Sequence, residues 1–283
     1  MSGKKEGDGG WRPRLSWWIM LLLLPLAACH PRSRPAELAC GSSYLEAAAR
    51  DVTQQPVPLL RLAEPGTCPG HFDLRPSQAE ALRRCRLLLR FDFQQALDTQ
   101  VQAGAPGGPE VGVVSVRGGM CVPATYLAVC EQIIPHLARW QQRPPEAYQP
   151  QLSAIRQRLQ TLEKTLHLQV REAGLAGVPV IASKRQRDFC EWLGLRVAGD
   201  FTGADIARPS ELEKVINAGR AAGARLVIAN LPEGRKAADF IADALGAKVV
   251  VLGNFPLPSA SGPDFDALLQ ENVRGLCQTA RSP

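Results

Sequence analysis

The stretch that decides the fold is EAYQPQLSAIRQRLQTLEKTLHLQVRE, residues 146–172 of a 283-residue chain. Leucine or isoleucine recurs in it at steps of three and four residues, the spacing of one apolar helix face. The positions are Leu152, Ile155, Leu159, Leu162 and Leu166. Such a helix is about 40 Å long, more than a single lobe needs, so we expect it to bridge two lobes. A coiled-coil dimer is the alternative, but five positions are too few heptads for sustained pairing, which favours packing within the chain.

Short apolar runs alternate with helix-spaced segments on both sides of this helix, as in α/β domains with mostly parallel strands. Before it, we predict strands at 38–40, 57–63, 86–91 and 111–116 and helices at 42–53, 76–85 and 94–102. After it, we predict strands at 179–183, 196–201, 225–229 and 248–252 and helices at 186–193, 210–222, 234–245 and 265–278. The predicted fold is therefore α/β: two lobes, 37–145 and 175–283, each a mostly parallel sheet flanked by helices, with a long connecting helix at 146–174 and a ligand cleft between the lobes.

Composition and motifs limit the classes of function that we expect of the chain. The chain is 45% apolar and carries a net charge of only +6, without the Lys/Arg runs of a nucleic-acid-binding groove. It contains no Walker loop, no Gly-x-Ser-x-Gly elbow and no His-Glu-x-x-His motif. We therefore expect neither a nucleic-acid partner nor an enzyme.

The amino terminus has the order of an export signal. A polar, basic segment precedes an apolar run at residues 15–26, which is shorter than the roughly twenty residues that span a bilayer. The run ends in Leu-Ala-Ala-Cys, which resembles a bacterial lipobox and makes Cys29 the expected lipid attachment site; a plain cleavage site is the alternative. Residues 1–28 are then a lipoprotein signal peptide and 29–36 a tether, since prolines and arginines there keep the chain extended.

The loop PGTCPGHFDLRPSQ, residues 65–78, carries the most specific pattern. Two Pro-Gly pairs hold Cys68 and His71 just ahead of a helix. The loop resembles that of the metal-binding solute-binding lipoproteins of bacterial ABC importers, the zinc/manganese group, where a Pro-Gly turn precedes a ligating histidine, an aromatic and acidic pair, and a Pro-Ser helix start. Residues 71–73 and 76–77 match that motif, which makes Asp73 a cleft residue.

The resemblance extends over the lipobox, the two lobes and the connecting helix, and it implies a function. It implies a monomer, exported and lipid-anchored to the cell envelope through Cys29, that binds a transition metal, zinc above others, as its transported ligand. Its partners would be a membrane permease and the ATPase of that importer. It implies no catalysis.

Most of the metal ligands of this family are replaced. At the second ligand position, residues 118–123, only Cys121 can ligate; at the third, residues 182–186, Lys184 and Arg185 stand in place of a histidine. The last ligand, a carboxylate in the family, falls at Asn254. Of the four histidines only His71 remains as a ligand, because His30 lies in the tether and the other two, His136 and His167, are expected in structural positions on helices.

The cysteines divide by position. Four of the eight share helix spacing with apolar residues and are expected in the core: Cys85, Cys130, Cys190 and Cys277. Cys40, Cys68 and Cys121 fall at strand ends or in loops, on the ligand-binding side of an open sheet. Cys121 lies just before Pro123, an expected first helical residue, so helix amides are expected to lower its pKa. Cys68, His71 and Cys121 then form a soft site for zinc, copper(I) or iron, with a disulfide between two of Cys40, Cys68 and Cys121 as the alternative.

The cations at the third ligand position support a different ligand. Lys184 and Arg185 at a helix start favour an anionic solute, or a metal held by an anionic chelator, over a bare cation. A solvated basic surface is the simpler interpretation of the same residues. A third hypothesis is a thiol enzyme that uses Cys121, although no histidine base lies near it in the sequence.

Overall fold

The structure is a computed structural model that describes residues 3–4, 37–54, 58–64, 74–100, 108–203, 208–257, 259 and 262–281. Eight strands lie in these residues: β1 (Leu38–Cys40), β2 (Leu59–Arg61), β3 (Leu87–Phe91), β4 (Glu110–Val114), β5 (Pro179–Ser183), β6 (Arg196–Phe201), β7 (Leu226–Asn230) and β8 (Lys248–Leu252). The α-helices described are α1 (Ser43–Thr53), α2 (Pro76–Arg83), α3 (Ala96–Gln100), α4 (Pro123–Gln141), α5 (Gln149–Glu172), α6 (Arg187–Trp192), α7 (Pro209–Ala222), α8 (Lys236–Leu245) and α9 (Phe265–Arg281).

The strands form two four-stranded sheets with the same topology. The order is β2-β1-β3-β4 in the first sheet and β6-β5-β7-β8 in the second, and every pair is parallel. In each sheet the chain leaves the first strand for one side and then crosses to the other, so the switch points lie between β1 and β3 and between β5 and β7. The predicted α/β fold with two parallel lobes is confirmed.

Helix α5 joins the two lobes through a shared core. The five predicted seam positions, together with Val170, are at most 6% exposed and pack in one cluster with side chains of both sheets. The seam is thus filled from within the chain, as predicted, and is not left for a coiled-coil partner. Helix α5 begins at Gln149 and not at residue 146, because Pro145–Tyr148 form a 3-10 turn.

Prolines mark several helix starts. Pro123 is the first residue of α4, as predicted, and Pro76 and Pro209 open α2 and α7. A proline suits this position because the first N–H groups of a helix have no partner within it. Among the described residues, no helix has the length and apolar character that crossing a membrane requires.

Candidate functional site

Open α/β sheets bind ligands at the carboxyl ends of their strands, and the predicted site residues other than the lipid attachment site Cys29 are expected near these ends. Four of the predicted site residues lie outside the described residues: Cys29, Cys68, His71 and Asp73. The other four follow strands: Cys121 after β4, Lys184 and Arg185 after β5, and Asn254 after β8. Within the described ranges, no three His, Cys, Asp or Glu side chains are grouped so that they could hold a metal ion.

The thiol of Cys121 connects the turn after β4 in the first lobe with the turn after β8 in the second. Its Sγ donates to the carbonyl of Gly253 at 3.0 Å, and Asn254 Oδ1 lies 3.7 Å from the sulfur. Asn272, on α9, donates from Nδ2 to the same sulfur at 3.6 Å. The structure therefore brings Cys121 and Asn254 together, and it leaves only 1% of Cys121 exposed.

Burial determines the protonation of Cys121. We expected the amides of α4 to lower the pKa of this thiol, and that expectation is wrong: burial, followed by the nearby Cys190 thiol, raises the pKa far above its usual range. The residue that opens α4 is Pro123, which has no N–H to donate to a thiolate. Cys121 is thus a protonated thiol at neutral pH, and a metal ion must displace its proton in order to bind. A nucleophile needs the thiolate, so the same burial argues against a thiol enzyme.

Cys40 and Cys121 are both buried free thiols, so they do not form the disulfide that is the alternative to a metal site. Burial also raises the pKa of Cys40 well above its usual range. The prediction of core positions is confirmed for three cysteines, which are buried: Cys85, Cys130 and Cys190. Cys277 is half-buried on α9. Cys68, the third member of the predicted group, lies outside the described residues.

Alkylation measures the state of Cys121 directly. We expect iodoacetamide to modify Cys121 in the native protein at pH 7.5 about 100-fold more slowly than Cys277, because only the latter is partly exposed. Mass spectrometry of the digested protein after timed exposure gives both rates in one sample, and Cys277 is the internal control. Modification of Cys121 as fast as that of Cys277 would contradict a buried, protonated thiol.

A group of neutral amides adjoins Cys121, and sequence reasoning missed it. Gln186 is fully buried, and its Nε2 faces four oxygens at 2.7–3.4 Å: Asn254 Oδ1, Asn230 Oδ1, Leu252 O and Gly253 O. Its Oε1 has no hydrogen-bond partner in the described part of the chain. The turns after β5, β7 and β8 are therefore held together by amides, where the family resemblance implies charged or imidazole ligands.

Hydrogen bonds cross the switch point of each sheet. In the second lobe, Ser183 Oγ donates to Glu233 Oε2 at 2.5 Å. In the first lobe, Gln94 Nε2 donates to the carbonyl of Gly41 at 3.1 Å. A Cβ at Gly41 would lie 2.4 Å from Gln94 Oε1, so a larger residue there would displace the Gln94 amide from this contact. The crevice that an open sheet offers to a ligand is thus bridged by protein atoms in both lobes.

The predicted cations of the second lobe, Lys184 and Arg185, are exposed, whereas the neighbouring amide Gln186 is buried. Lys184 lines a cavity of about 230 Å³ beside β6 and α7, whose lining also includes Lys214 and the acidic residues Asp200 and Glu211. This cavity carries charges of both signs and does not include Cys121 or Asn254.

The two described histidines occupy structural positions, as predicted. The ring of His136 packs on the backbone of Gly112 in β4, and its Nδ1 lies 3.0 Å from Arg139. The ring of His167 meets Trp192 edge-to-face with 4.7 Å between centroids. Neither side chain takes part in the arrangement around Cys121.

Comparisons with known proteins agree with this architecture. The manganese-bound periplasmic metal binding protein of Candidatus Liberibacter asiaticus superposes with a TM-score of 0.70 at 13% identity, over 86% of this chain and 98% of that one. The cadmium-bound form of that protein gives the same TM-score and coverage at 12% identity. A crystal structure of ZnuA superposes with a TM-score of 0.69 at 14% identity, over 87% of this chain and all of that one. No curated protein matches the sequence.

The family comparison covers nearly all of both lobes. Residues 39–279 match the family model described as ZnuA, the periplasmic component A of the zinc-uptake complex. That range begins inside β1 and ends in α9, so it includes all of β2 to β8 and both turns that meet at Cys121. The chain therefore belongs to the ZnuA family, whose members are transport binding proteins and not enzymes.

Proposed function

We propose that the chain is the substrate-binding component of an ABC importer, which captures a transition-metal ion between its lobes and delivers it to a permease driven by an ATPase. Family membership supports metal transport, and structural relatives are described as manganese- and cadmium-bound. The observation that carries the proposal is the meeting of Cys121 and Asn254, 3.7 Å apart, at the carboxyl ends of the strands. These are the second and last ligand positions implied by the family resemblance.

The metal ligands we assign are His71, Cys68 and Cys121. Under this assignment the loop at 65–73 would supply two of the three ligands and the turn after β4 the third; the described residues alone contain no group of three His, Cys, Asp or Glu side chains that could hold a metal ion. An imidazole and two thiolates suit zinc or copper(I). Because Cys121 is a protonated thiol bonded to Gly253, metal binding would release a proton and be favoured by rising pH.

The export route completes the proposal. Residues 1–28 would be removed as a lipoprotein signal peptide, Cys29 would carry the lipid, and residues 29–36 would tether lobes 37–145 and 175–283, with their connecting segment 146–174, to the membrane. The protein would then act as a monomer in the cell envelope. Acylation is tested by mass spectrometry of the protein from bacterial membranes, and a chain that retains residue 28 would contradict it.

Replacement of His71 tests the metal site. In the reduced full-length protein we expect one zinc ion per chain, and His71→Ala should weaken zinc binding by about 100-fold because it removes the only imidazole we assign to the site. His136→Ala is the matched control, since His136 packs on Gly112 away from Cys121. Competition with a chromogenic chelator measures the affinities, and metal analysis of the dialysed proteins gives the stoichiometry. Unchanged zinc binding by His71→Ala would refute the assignment.

An anionic solute or metal chelate is the second candidate ligand. Lys184 and Arg185 support it, because both are exposed and neither forms an ion pair within the described residues. Under this alternative, Lys184→Glu together with Arg185→Glu would abolish uptake of a zinc–citrate chelate and leave free zinc binding intact. Under the metal proposal, the double charge reversal leaves zinc affinity within about twofold of the native value, since surface charges at a distance are screened.

A further inference from the structure

A cavity of about 440 Å³ lies at the amino-terminal ends of the central strands of the first sheet, where β1 and β3 begin and α4 ends. Its lining is polar and carries two guanidinium groups against one carboxylate: Glu37, Arg86, Trp140, Gln141, Gln142 and Arg143. We propose that this cavity binds a phosphate ester, with Arg86 and Arg143 as its charged contacts. The proposed metal site lies at the opposite ends of the strands and shares none of these residues.

Tyr148 holds two of the lining residues in place. It is 1% exposed, its hydroxyl donates to Gln141 Oε1 at 2.7 Å, and its ring lies 5.3 Å from the guanidinium carbon of Arg143. Arg143 forms no ion pair within the described residues, so its charge is available to a ligand. A guanidinium that is already oriented loses less conformational freedom when it binds a phosphate in its fork.

Unused hydrogen-bond donors accompany this charge. The indole Nε1 of Trp140 is buried and has no hydrogen-bond partner in the described part of the chain. Gln141 accepts from Tyr148 through Oε1, and no described residue accepts from its amide nitrogen. A buried donor without a partner costs about 1–3 kcal/mol, and a phosphate offers acceptors only. The unpaired hydrogen-bond donors and the positive charge of the lining thus both favour an anionic ligand that offers only acceptors.

Two carbonyls in the last turn of α4 are satisfied by the backbone and not by the arginine side chains. The backbone N–H of Gln142 donates to the carbonyls of Ala138 and Arg139, and the N–H of Arg143 donates to Ala138 at 2.9 Å. Glu37 lies 3.5 Å from Arg86, which leaves the lining with one net positive charge.

The phosphate ester has two sources, a soluble metabolite or a phospholipid headgroup. Glu37, which lines the cavity, directly precedes β1 and lies eight residues after Cys29. Eight residues span at most about 28 Å. If Cys29 carries a lipid, the cavity lies within reach of the membrane surface. The headgroup source rests on that proposed anchor, whereas the soluble source does not.

Binding to the non-acylated full chain tests the cavity. The Cys29→Ser protein is titrated calorimetrically with glycerol 3-phosphate, and its flotation with phosphatidylglycerol vesicles is compared with that on phosphatidylcholine vesicles. Arg143→Gln and Arg86→Gln should each weaken binding at least about tenfold, the effect of losing a charge-assisted hydrogen bond. Arg274→Gln, at an exposed arginine on α9, removes the same charge elsewhere and should have no effect.

The results distinguish a soluble ligand from a lipid headgroup, and they distinguish both from the absence of a phosphate site. Binding of glycerol 3-phosphate that depends on Arg143 supports a soluble ligand. Binding to phosphatidylglycerol vesicles alone, with the same dependence, supports a headgroup. If neither probe binds, or if both bind equally well to all three arginine variants, the cavity is not a phosphate site. Zinc binding is independent of every outcome, so failure here leaves the metal proposal untouched.

Discussion

Asp51→Asn is expected to lower the free energy of unfolding by about 2–3 kcal/mol, because it removes the carboxylate that joins three helices. Asp51, on α1, accepts from both terminal nitrogens of Arg158 on α5, at 3.0 and 2.6 Å, and from the hydroxyl of Tyr126 on α4 at 2.7 Å. Without that charge, the partly exposed guanidinium of Arg158 keeps one ion-pair partner among the described residues, Asp266 at 3.1 Å. Urea unfolding followed by circular dichroism at pH 7.5 measures the loss.

Asp266→Asn is the matched change on the other side of Arg158, and its effect should have the opposite sign. Burial outweighs the attraction of Arg158 and raises the pKa of Asp266 to about 6, and its Oδ1 has no hydrogen-bond partner among the described residues. A raised pKa means that the native state favours the protonated form, so stability should fall as pH rises from about 4 to about 6. Asparagine mimics the neutral form and should remove that slope, with a gain of about 1 kcal/mol at pH 7.5 after allowance for solvent screening.

Two results would contradict this account of the three-helix contact. One is Asp51→Asn with native stability, which would mean that Arg158 is solvated and its ion pair adds nothing. The other is an unchanged slope between pH 4 and 6 in Asp266→Asn, which would assign the pH dependence to a different group.

The fold could be predicted from the sequence because the spacing of apolar residues is a local feature that recurs along the chain. The spacing of its apolar residues predicted helix α5, and short apolar runs between turns predicted the strands. The errors lie at boundaries: the 3-10 turn Pro145–Tyr148 uses the same residue types as a helix start, and only the hydrogen bonds distinguish them. Periodicity identifies which residues are buried and does not fix where a helix begins.

The site was less predictable, because its chemistry depends on contacts between distant residues. Cys121 and Asn254 were assigned to one cleft from their places after strands, but the protonation of the thiol depends on its burial beside Gly253 and Asn272, more than a hundred residues away in the chain. A local signal did exist for the amides. Asn230 ends a fully buried strand, and Asn272 interrupts the apolar face of α9. A polar residue at such a position requires a partner.

Asn272 is the residue through which α9 holds the Cys121 site together. Its Oδ1 accepts from the backbone N–H of Gly253 and its Nδ2 donates to the carbonyl of the same residue, both at 2.9 Å. Asn272→Ala would remove the partner of the Gly253 N–H, take one of three donors from the Gly253 carbonyl and open a small cavity, so we expect unfolding to be easier by about 3 kcal/mol. Asn217→Ala, at an exposed position on α7, is the control and should change stability by no more than about 0.5 kcal/mol.

The same substitution should release the Cys121 thiol. Gly253 accepts from Cys121 at 3.0 Å, so a displaced turn after β8 uncovers the sulfur. Burial is the largest cause of the raised pKa of Cys121, so exposure lowers this pKa by more than the loss of the Asn272 hydrogen bond raises it. We expect iodoacetamide to modify Cys121 at least about tenfold faster in Asn272→Ala than in the native protein under conditions where both are folded. If Asn272→Ala is much less stable but its Cys121 is alkylated no faster, the two lobes bury Cys121 without help from Asn272. An equal gain for Cys277 would indicate general loosening and not a specific role for Asn272, since Cys277 lies five residues further along the same helix.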